Sequence, residues 1–147
     1  HHLEQRLGAQ LFFKCENFQK IGAFKARGAA NAVFSLTAAE AARGVVTHSS
    51  GNHAAALARA ARLRGIAAHI VMPSDAPQSK IASVRRNGGI ITFCEPNVAA
   101  RESTCARLVA ETGGRLIHPY NDYAVMAGQG TATLELLAQV PDLDVVI

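Results

Sequence analysis

The stretch VVTHSSGNH, residues 45–53, joins two kinds of local structure. Its first half is a short apolar run with β-branched residues, which favours a strand. Its second half is small and polar around Gly51, and the alanine-rich segment that follows predicts a helix beginning at about Asn52. A turn that leads from a strand into a helix gathers free backbone N–H groups at the positive end of the helix. The stretch therefore predicts a strand–turn–helix unit whose turn can bind an anion.

The same unit recurs along the chain. Short apolar runs cover residues 45–48, 68–72, 90–94 and 116–118, and each interval between their starts leaves room for one crossover helix. The helices are predicted at 52–64, between 75 and 87, and from Asn97 to Gly113. This alternation predicts βαβ units on a parallel sheet with helices on both faces, an α/β fold.

The flanks of this ladder differ from it. Residues 11–16 read as a strand, and residues 24–36 and 124–140 read as helices. Gly128 and Gly130 each cost about 1 kcal/mol inside a helix, which suggests close backbone packing or a late helix start. Residues 144–147 begin a further hydrophobic strand, and we expect the rest of the protein to follow it.

The composition is that of a globular domain. Hydrophobic residues make up 49% of the 147 residues and charged residues 18%, and no apolar run approaches the roughly 20 residues that span a bilayer. The net charge of +4 is mild and its arginines are dispersed towards helix ends, which argues against a nucleic-acid partner. Three cysteines without a paired motif favour a reducing cytoplasm.

Several functions lack their motifs. There is no GxSxG elbow at Ser49 or Ser50, no GxGxxG after a strand, and no metal-binding context for the six histidines. The polar turn has two interpretations, plain N-capping by Ser or Asn or binding of a carboxylate or phosphate, and four polar residues around one glycine favour binding. His53 fits a packed first-turn histidine as well as a ligand.

Lys25 is the sharpest chemical candidate. It follows Phe24 at the first turn of a predicted helix, behind the small-residue segment 21–23. A partly desolvated amine at a positive helix end has a lowered pKa, which favours the neutral nucleophile that a Schiff base requires. The aromatic face of Phe24 could cover a flat cofactor ring. The alternative is an ordinary solvated lysine.

These motifs together carry a family resemblance. The segments FFKCENFQK (12–20), GAFKARGA (22–29), THSSGNH (47–53), HPY (118–120) and AGQGT (127–131) resemble the fold-type II pyridoxal phosphate enzymes, and within them the serine racemase and serine/threonine dehydratase family. The resemblance covers essentially the whole chain. It implies a tryptophan synthase β-like fold in which a small mobile domain, residues 43–120, is inserted in a large domain formed by residues 1–42 and 121–147.

The resemblance also implies roles for individual residues. Lys25 would form a Schiff base with pyridoxal 5'-phosphate and take the α-proton of the substrate. Phe24 would pack against the cofactor ring, and Asn52 would bind its 3-hydroxyl oxygen. Ser50 would be the acid/base on the opposite face, which racemisation needs and elimination does not. The substrate carboxylate would be held by Ser49, Ser50, Gly51, Asn52 and His53.

The implied activity is dehydration of β-hydroxy amino acids by an ammonia-lyase, racemisation of serine, or both. The substrate would be of the L-serine, L-threonine or 3-hydroxyaspartate type, and the full-length enzyme a cytoplasmic homodimer with no nucleic-acid or membrane partner. A divalent cation could bind, but its ligands would lie outside this chain. The family's phosphate-binding glycine loop should follow residues 145–147 and is not in the sequence.

Two departures from the family pattern and two alternatives remain. Ala23 stands where many relatives have serine, and Tyr120 resembles the bacterial dehydratases rather than the animal racemases. A cysteine synthase-like β-replacement enzyme would carry threonine where His53 stands. A non-catalytic, truncated ligand-binding module would keep the anion turn without the phosphate loop.

Overall fold

A four-stranded parallel sheet forms the centre of the chain. The computed structural model describes residues 2–147, and its strands are β1 (Val45–His48), β2 (Ala68–Pro73), β3 (Ile90–Cys94) and β4 (Arg115–Leu116). They are ordered β3-β2-β1-β4, with Val45 of β1 opposite Ala68 on one side and Arg115 on the other. The four strands predicted for the βαβ ladder and the parallel α/β architecture are confirmed.

Helices cover both faces of this sheet. The described helices are α1 (His2–Leu7), α2 (Lys25–Phe34), α3 (Ala38–Ala42), α4 (Asn52–Arg64), α5 (Gln78–Arg86), α6 (Val98–Thr112) and α7 (Tyr123–Gln139). One buried cluster lies between the sheet and α4 and α5, and a smaller one, with Val46 and Val71 against Cys105 and Leu108, lies under α6. Successive strand residues point to opposite faces, so the two central strands, β1 and β2, contribute to both clusters.

The helix ends follow their local sequence signals. The Asn97 side chain accepts a hydrogen bond from the Ala100 amide at 2.8 Å and begins α6, and Gly113 ends it in the left-handed region at φ 65°. Gly65, at φ 74°, ends α4 in the same way. Glycine adopts this conformation without the strain that a Cβ imposes, so these predicted boundaries are confirmed.

Two further helices stack outward from α4. The alanine-rich α4 is buried along most of its length, α2 packs on it, and α7 packs on α2. The crossing of α2 and α7 is close, because a Cβ at Gly128 would lie 2.6 Å from the Gly28 Cα. Close packing therefore explains Gly128. It does not explain Gly130, which has open space beside it in the middle of α7.

Two predicted strands are wrong. Residues 11–16 form no strand and pass into a 3-10 turn at Glu16–Phe18, and residues 144–147 have no regular structure. Neither segment makes a strand ladder with any described residue, and an apolar extended segment without a partner cannot form one. The side chains of Phe13 and Val145 are each 70% exposed.

Candidate functional site

The strand order places a crevice at one end of the sheet. The chain runs from β1 to β2 to β3 in one direction and then returns to the far side of β1 to form β4. The loops that follow β1 and β4 therefore diverge at the carboxyl ends of two neighbouring strands. Ligands of open parallel sheets bind at such points of reversal.

A cleft of about 350 Å³ occupies this position. The turn after β1 provides one wall, the loop after β4 the second, and the N-terminal part of α6 the third. The lining residues are His48, Ser49, Ser50, Gly51, Val98, Arg101, Glu102, His118, Pro119 and Tyr120. The cleft therefore combines hydroxyl groups, imidazole rings and one guanidinium group.

The N-terminus of α4 opens towards this cleft without a side-chain cap. Gly51 is its N-cap residue, and the Ser49 hydroxyl accepts a hydrogen bond from the Gly51 amide at 3.2 Å instead of capping the helix. In contrast, α6 and α7 are capped by Asn97 and Asp122. The plain capping interpretation of the polar turn is therefore wrong. The first amides of α4 and the helix dipole make the turn suitable for an anion.

Lys25 contacts the rim of the same cleft from α2. Its Nζ donates a hydrogen bond to the Pro119 carbonyl at 2.8 Å, and Pro119 lines the cleft. Burial lowers the pKa of the Lys25 amine below its usual range. The Lys25 Nζ lies 5.2 Å from the centre of the Phe24 ring, which is 43% exposed. Lys25 is therefore not an ordinary solvated lysine.

His53 is buried in the first turn of α4. Its side chain is 3% exposed, and neither ring nitrogen makes a hydrogen bond of normal geometry within residues 2–147. Burial, and after it the positive charge of Lys25, lowers its pKa to about 4, with the nearby Ile117 backbone opposing both effects. The imidazole is therefore neutral at physiological pH, and its position is that of a packed histidine close to Lys25.

Two histidines of the cleft form a row of rings with Tyr120. The His48 and His118 rings meet edge to face at 5.4 Å between centroids, and the His118 and Tyr120 rings do so at 4.5 Å. His118 Nδ1 accepts hydrogen bonds from the amides of Tyr120 and Asn121, at 3.4 and 3.0 Å. Burial, then the charges of His118 and Arg101, lowers the pKa of His48.

A charged cluster holds α2 and α7 together behind the site. Arg27 donates two hydrogen bonds to Glu16, at 2.8 Å each, and two to Glu135, at 2.6 and 2.7 Å. Lys14 adds an ion pair with Glu135 at 2.8 Å, and the hydrogen bonds from Arg27 and Lys14 lower the pKa of Glu135 to about 2. Such paired, bidentate contacts fix orientation as well as contributing energy.

The structure brings part of the predicted site together. Ser49, Ser50 and Gly51 line the cleft, and Lys25 contacts its rim through Pro119. Asn52, exposed, and His53, buried, are the first two residues of α4, and the half-exposed Phe24 precedes α2.

Sequence reasoning missed seven lining residues, and the four with the clearest chemistry are His48, Arg101, His118 and Tyr120. His48 ends β1 and the last two follow β4, so strand ends could have identified them. Arg101 depends on the strand order, for which the sequence carries no signal.

The site fits a flat, anionic aldehyde cofactor. A partly buried amine with a lowered pKa lies beside an exposed aromatic face, and an uncapped helix N-terminus lines the same cleft. This combination on an α/β fold is the one expected of a protein that binds pyridoxal phosphate. Within residues 2–147, no group of three side chains suits a metal ion, and no helix is long and apolar enough to cross a membrane.

Comparisons with known proteins agree with this class. The model of the family described as pyridoxal-phosphate dependent enzyme matches residues 1–147. A β-hydroxyaspartate dehydratase of Paracoccus denitrificans is 61% identical over 146 residues, which are 99% of this chain and 46% of that protein. A serine racemase of Oryza sativa subsp. indica is 55% identical over 141 residues, 96% of this chain and 42% of that protein.

The same relationship appears in three dimensions. The structure of maize serine racemase has a TM-score of 0.95 and 53% identity, and covers 97% of this chain and 44% of that one. The chain thus spans less than half the length of these relatives. It belongs to the pyridoxal-phosphate dependent enzyme family.

Proposed function

We propose that the full-length protein is a pyridoxal phosphate enzyme that acts on β-hydroxy amino acids as an ammonia-lyase, a racemase or both. The observation that carries the proposal is the position of Lys25. Its amine is partly buried, has a lowered pKa and contacts the rim of a cleft that is also lined by an uncapped helix N-terminus. The named activities of the relatives, a racemase and a dehydratase, support the choice of substrate class.

The chain's own groups divide the chemistry between the two sides of the cleft. Lys25 would hold the cofactor covalently through Nζ, with Phe24 against its ring and Asn52 at its 3-hydroxyl oxygen. The amides from Ser49 to His53 would hold the substrate carboxylate at the α4 N-terminus. The cofactor, when bound, supplies an electron sink for the substrate α-carbon. Lys25 Nζ would take the α-proton, and the Ser50 hydroxyl would deliver one to the opposite face in racemisation.

Elimination balances without a second base on the chain. The α-C–H bond and the Cβ–O bond break, water leaves, and hydrolysis of the resulting enamine gives a 2-oxo acid and ammonia. The water that elimination releases is thus balanced by the water that hydrolysis consumes. Racemisation instead returns a proton to the α-carbon, so the two outcomes compete for the same deprotonated substrate.

Arg101 favours a dicarboxylic substrate as a second candidate within the same class. Its guanidinium group lines the cleft beside the anion-binding turn, where a second carboxylate of a 3-hydroxyaspartate-type substrate could pair with it. Glu102, in the same wall, opposes that charge. L-serine and L-threonine carry no second carboxylate and would gain nothing from Arg101.

The proposal includes a homodimeric full-length protein, as the family resemblance implies, and a division into two domains that close on the substrate. The sheet lies within residues 45–116, which supports a small domain at 43–120, with 1–42 and 121–147 belonging to a larger one. The buried cluster continues from α4 into α2 through Ala29 and Val33, so closure requires α2 to slide over α4. Malonate, a dicarboxylate inhibitor, should draw residues 43–120 towards Lys25. Identical crystal structures with and without malonate would contradict the closure.

Borohydride reduction tests the central role of Lys25. Full-length protein incubated with pyridoxal phosphate should carry the reduced label on Lys25 after peptide mapping. Lys25→Ala should lose the label and all turnover while remaining folded, because only a primary amine can form the imine. Lys20→Ala, which removes a nearby exposed lysine, should keep both. A label on another lysine would show that the assignment is wrong.

A further inference from the structure

The helix that carries Lys25 has no N-terminal cap from its own sequence. Phe24 is the N-cap residue of α2 and makes no side-chain cap. The first turn is tight, since the Ala26 amide bonds the Ala23 carbonyl at 3.2 Å and the Arg27 amide bonds the Phe24 carbonyl at 3.0 Å. An uncapped first turn frays easily, because its amides lack partners within the helix.

A side chain from α7 takes the place of that cap. The Gln129 Oε1 accepts a hydrogen bond from the Gly28 amide at 3.2 Å, across 101 residues of sequence. The carboxamide rests on the Gly28 backbone, because a Cβ at position 28 would lie 2.7 Å from the Gln129 Cδ and Nε2. The absence of a side chain at position 28 therefore lets this contact form.

The other end of the carboxamide makes no hydrogen bond. Gln129 Nε2 is buried and has no partner among the residues that the structure describes. Leaving a buried donor unsatisfied costs about 1–3 kcal/mol. The position of Gln129 is therefore not explained by hydrogen bonding at both ends of its carboxamide, and the contact made by Oε1 needs an explanation of its own.

We propose that Gln129 is a positioning residue for Lys25: its carboxamide oxygen holds the first turn of α2 and thereby keeps the Lys25 amine against Pro119. Lys25 is the first residue of that turn, and its Nζ bonds the Pro119 carbonyl at 2.8 Å. Arg27 links the same turn to α7 through Thr131 at 3.1 Å and through Glu135, so three residues of α7 contact the turn. The functional importance of the contact rests on the proposed role of Lys25.

The test measures Lys25 in full-length protein without added cofactor. Acetic anhydride labels neutral amines, and peptide mapping across a pH series gives the labelling midpoint of Lys25. Gln129→Met keeps length and helix propensity but removes the acceptor. The exposed amine should then titrate closer to the usual value of about 10.4, and each unit of upward shift lowers the labelling rate at a fixed lower pH about tenfold.

Two further variants separate positioning from packing. Gln139→Met makes the same substitution in α7, where the native side chain accepts from Lys14 at 3.1 Å, and should leave the Lys25 midpoint unchanged. Gln129→Glu retains an acceptor oxygen, so hydrogen exchange at the Gly28 amide should stay slow in this variant and become faster in Gln129→Met. If Gln129→Met does not fold, Gln129→Ala replaces it.

The proposal is wrong if Gln129→Met lowers the melting temperature but leaves the Lys25 midpoint at the wild-type value. That result would assign Gln129 to packing alone. A different result would contradict the proposed function: borohydride would not fix pyridoxal phosphate on Lys25 of the wild type. The labelling midpoint is measured without the cofactor, so the two failures cannot be confused.

Discussion

Gly128→Ala should destabilise the protein even though alanine is the better helix former. At position 128 the added Cβ would lie 2.6 Å from the Gly28 Cα, 2.7 Å from the Arg27 carbonyl oxygen and 2.8 Å from the Asn31 Cβ. Two of these three atoms belong to the backbone of α2, so a side-chain rotation cannot relieve the overlap. The helices must separate instead.

The expected magnitude follows from two opposing terms. Replacing glycine by alanine inside a helix gains about 1 kcal/mol, and overpacking a close contact costs typically about 1–3 kcal/mol or more. Gly130→Ala provides the matched control, because it makes the same change in α7 with nothing within 4 Å of the new Cβ. Gly130→Ala should therefore stabilise the protein, and the difference between the two variants isolates the packing term.

Urea unfolding of both variants under identical conditions measures this difference. We expect Gly130→Ala to raise the free energy of unfolding by about 0.5–1 kcal/mol. The free energy of unfolding of Gly128→Ala should be about 1–3 kcal/mol lower than that of Gly130→Ala. For a chain of this size, each kcal/mol corresponds to about 2–4 °C in melting temperature. If Gly128→Ala is as stable as Gly130→Ala, the close approach of α2 and α7 does not exist.

Two other substitutions, with one control, test the residues that line the cleft. Ser50→Ala should lower D-serine formation from L-serine by about 10²–10⁴ while pyruvate formation persists, and equal losses would show that Ser50 only binds the carboxylate. Arg101→Met should lower kcat/KM for 3-hydroxyaspartate about 10- to 100-fold relative to serine, since a charged hydrogen bond is worth about 1.5–3 kcal/mol. Arg107→Met is the control, because Arg107 lies on the same helix and pairs with the exposed Glu111 side chain. An equal loss of kcat/KM for both substrates in Arg101→Met would contradict a role of Arg101 in selectivity.

His53→Leu should flatten the acid side of the stability profile. Burial lowers the folded pKa to about 4, against about 6.5 in the unfolded chain, so the unfolded state binds the extra proton between these values. Stability is complete above about pH 6.5 and falls by up to about 3 kcal/mol towards pH 4. Urea unfolding at stepped pH measures this slope, and an equal slope in the variant would contradict it.

The elements that the sequence predicts well are those with local causes. Asn97 and Gly113 define α6 through a side-chain cap and a left-handed residue, both of which act within a turn of the helix end. Lys25 and the turn at residues 49–51 could be proposed as site residues because their residue types are unusual for their positions. These signals need no knowledge of the rest of the chain.

The composition of the cleft depends on information that is not local. Arg101 reaches the site only because β4 returns to the far side of β1, which brings the N-terminal part of α6 over the turn after β1. The βαβ spacing is the same whether a strand adds to one side of the sheet or the other. The capping role of Gln129 is hidden for the same reason, since its partner amide lies 101 residues away.

The two wrong strands have a common physical origin. Residues 10–14 and 145–147 line the same cavity of about 370 Å³, so the fold brings the two apolar segments close to each other without a ladder between them. Apolar and β-branched residues express a preference for a pleated, half-buried surface, which is a property of side chains. A strand also needs backbone partners along its edge, and the described residues supply none to either segment. Sequence patterns therefore predict which segments can become strands, whereas the strands that form are decided by their neighbours.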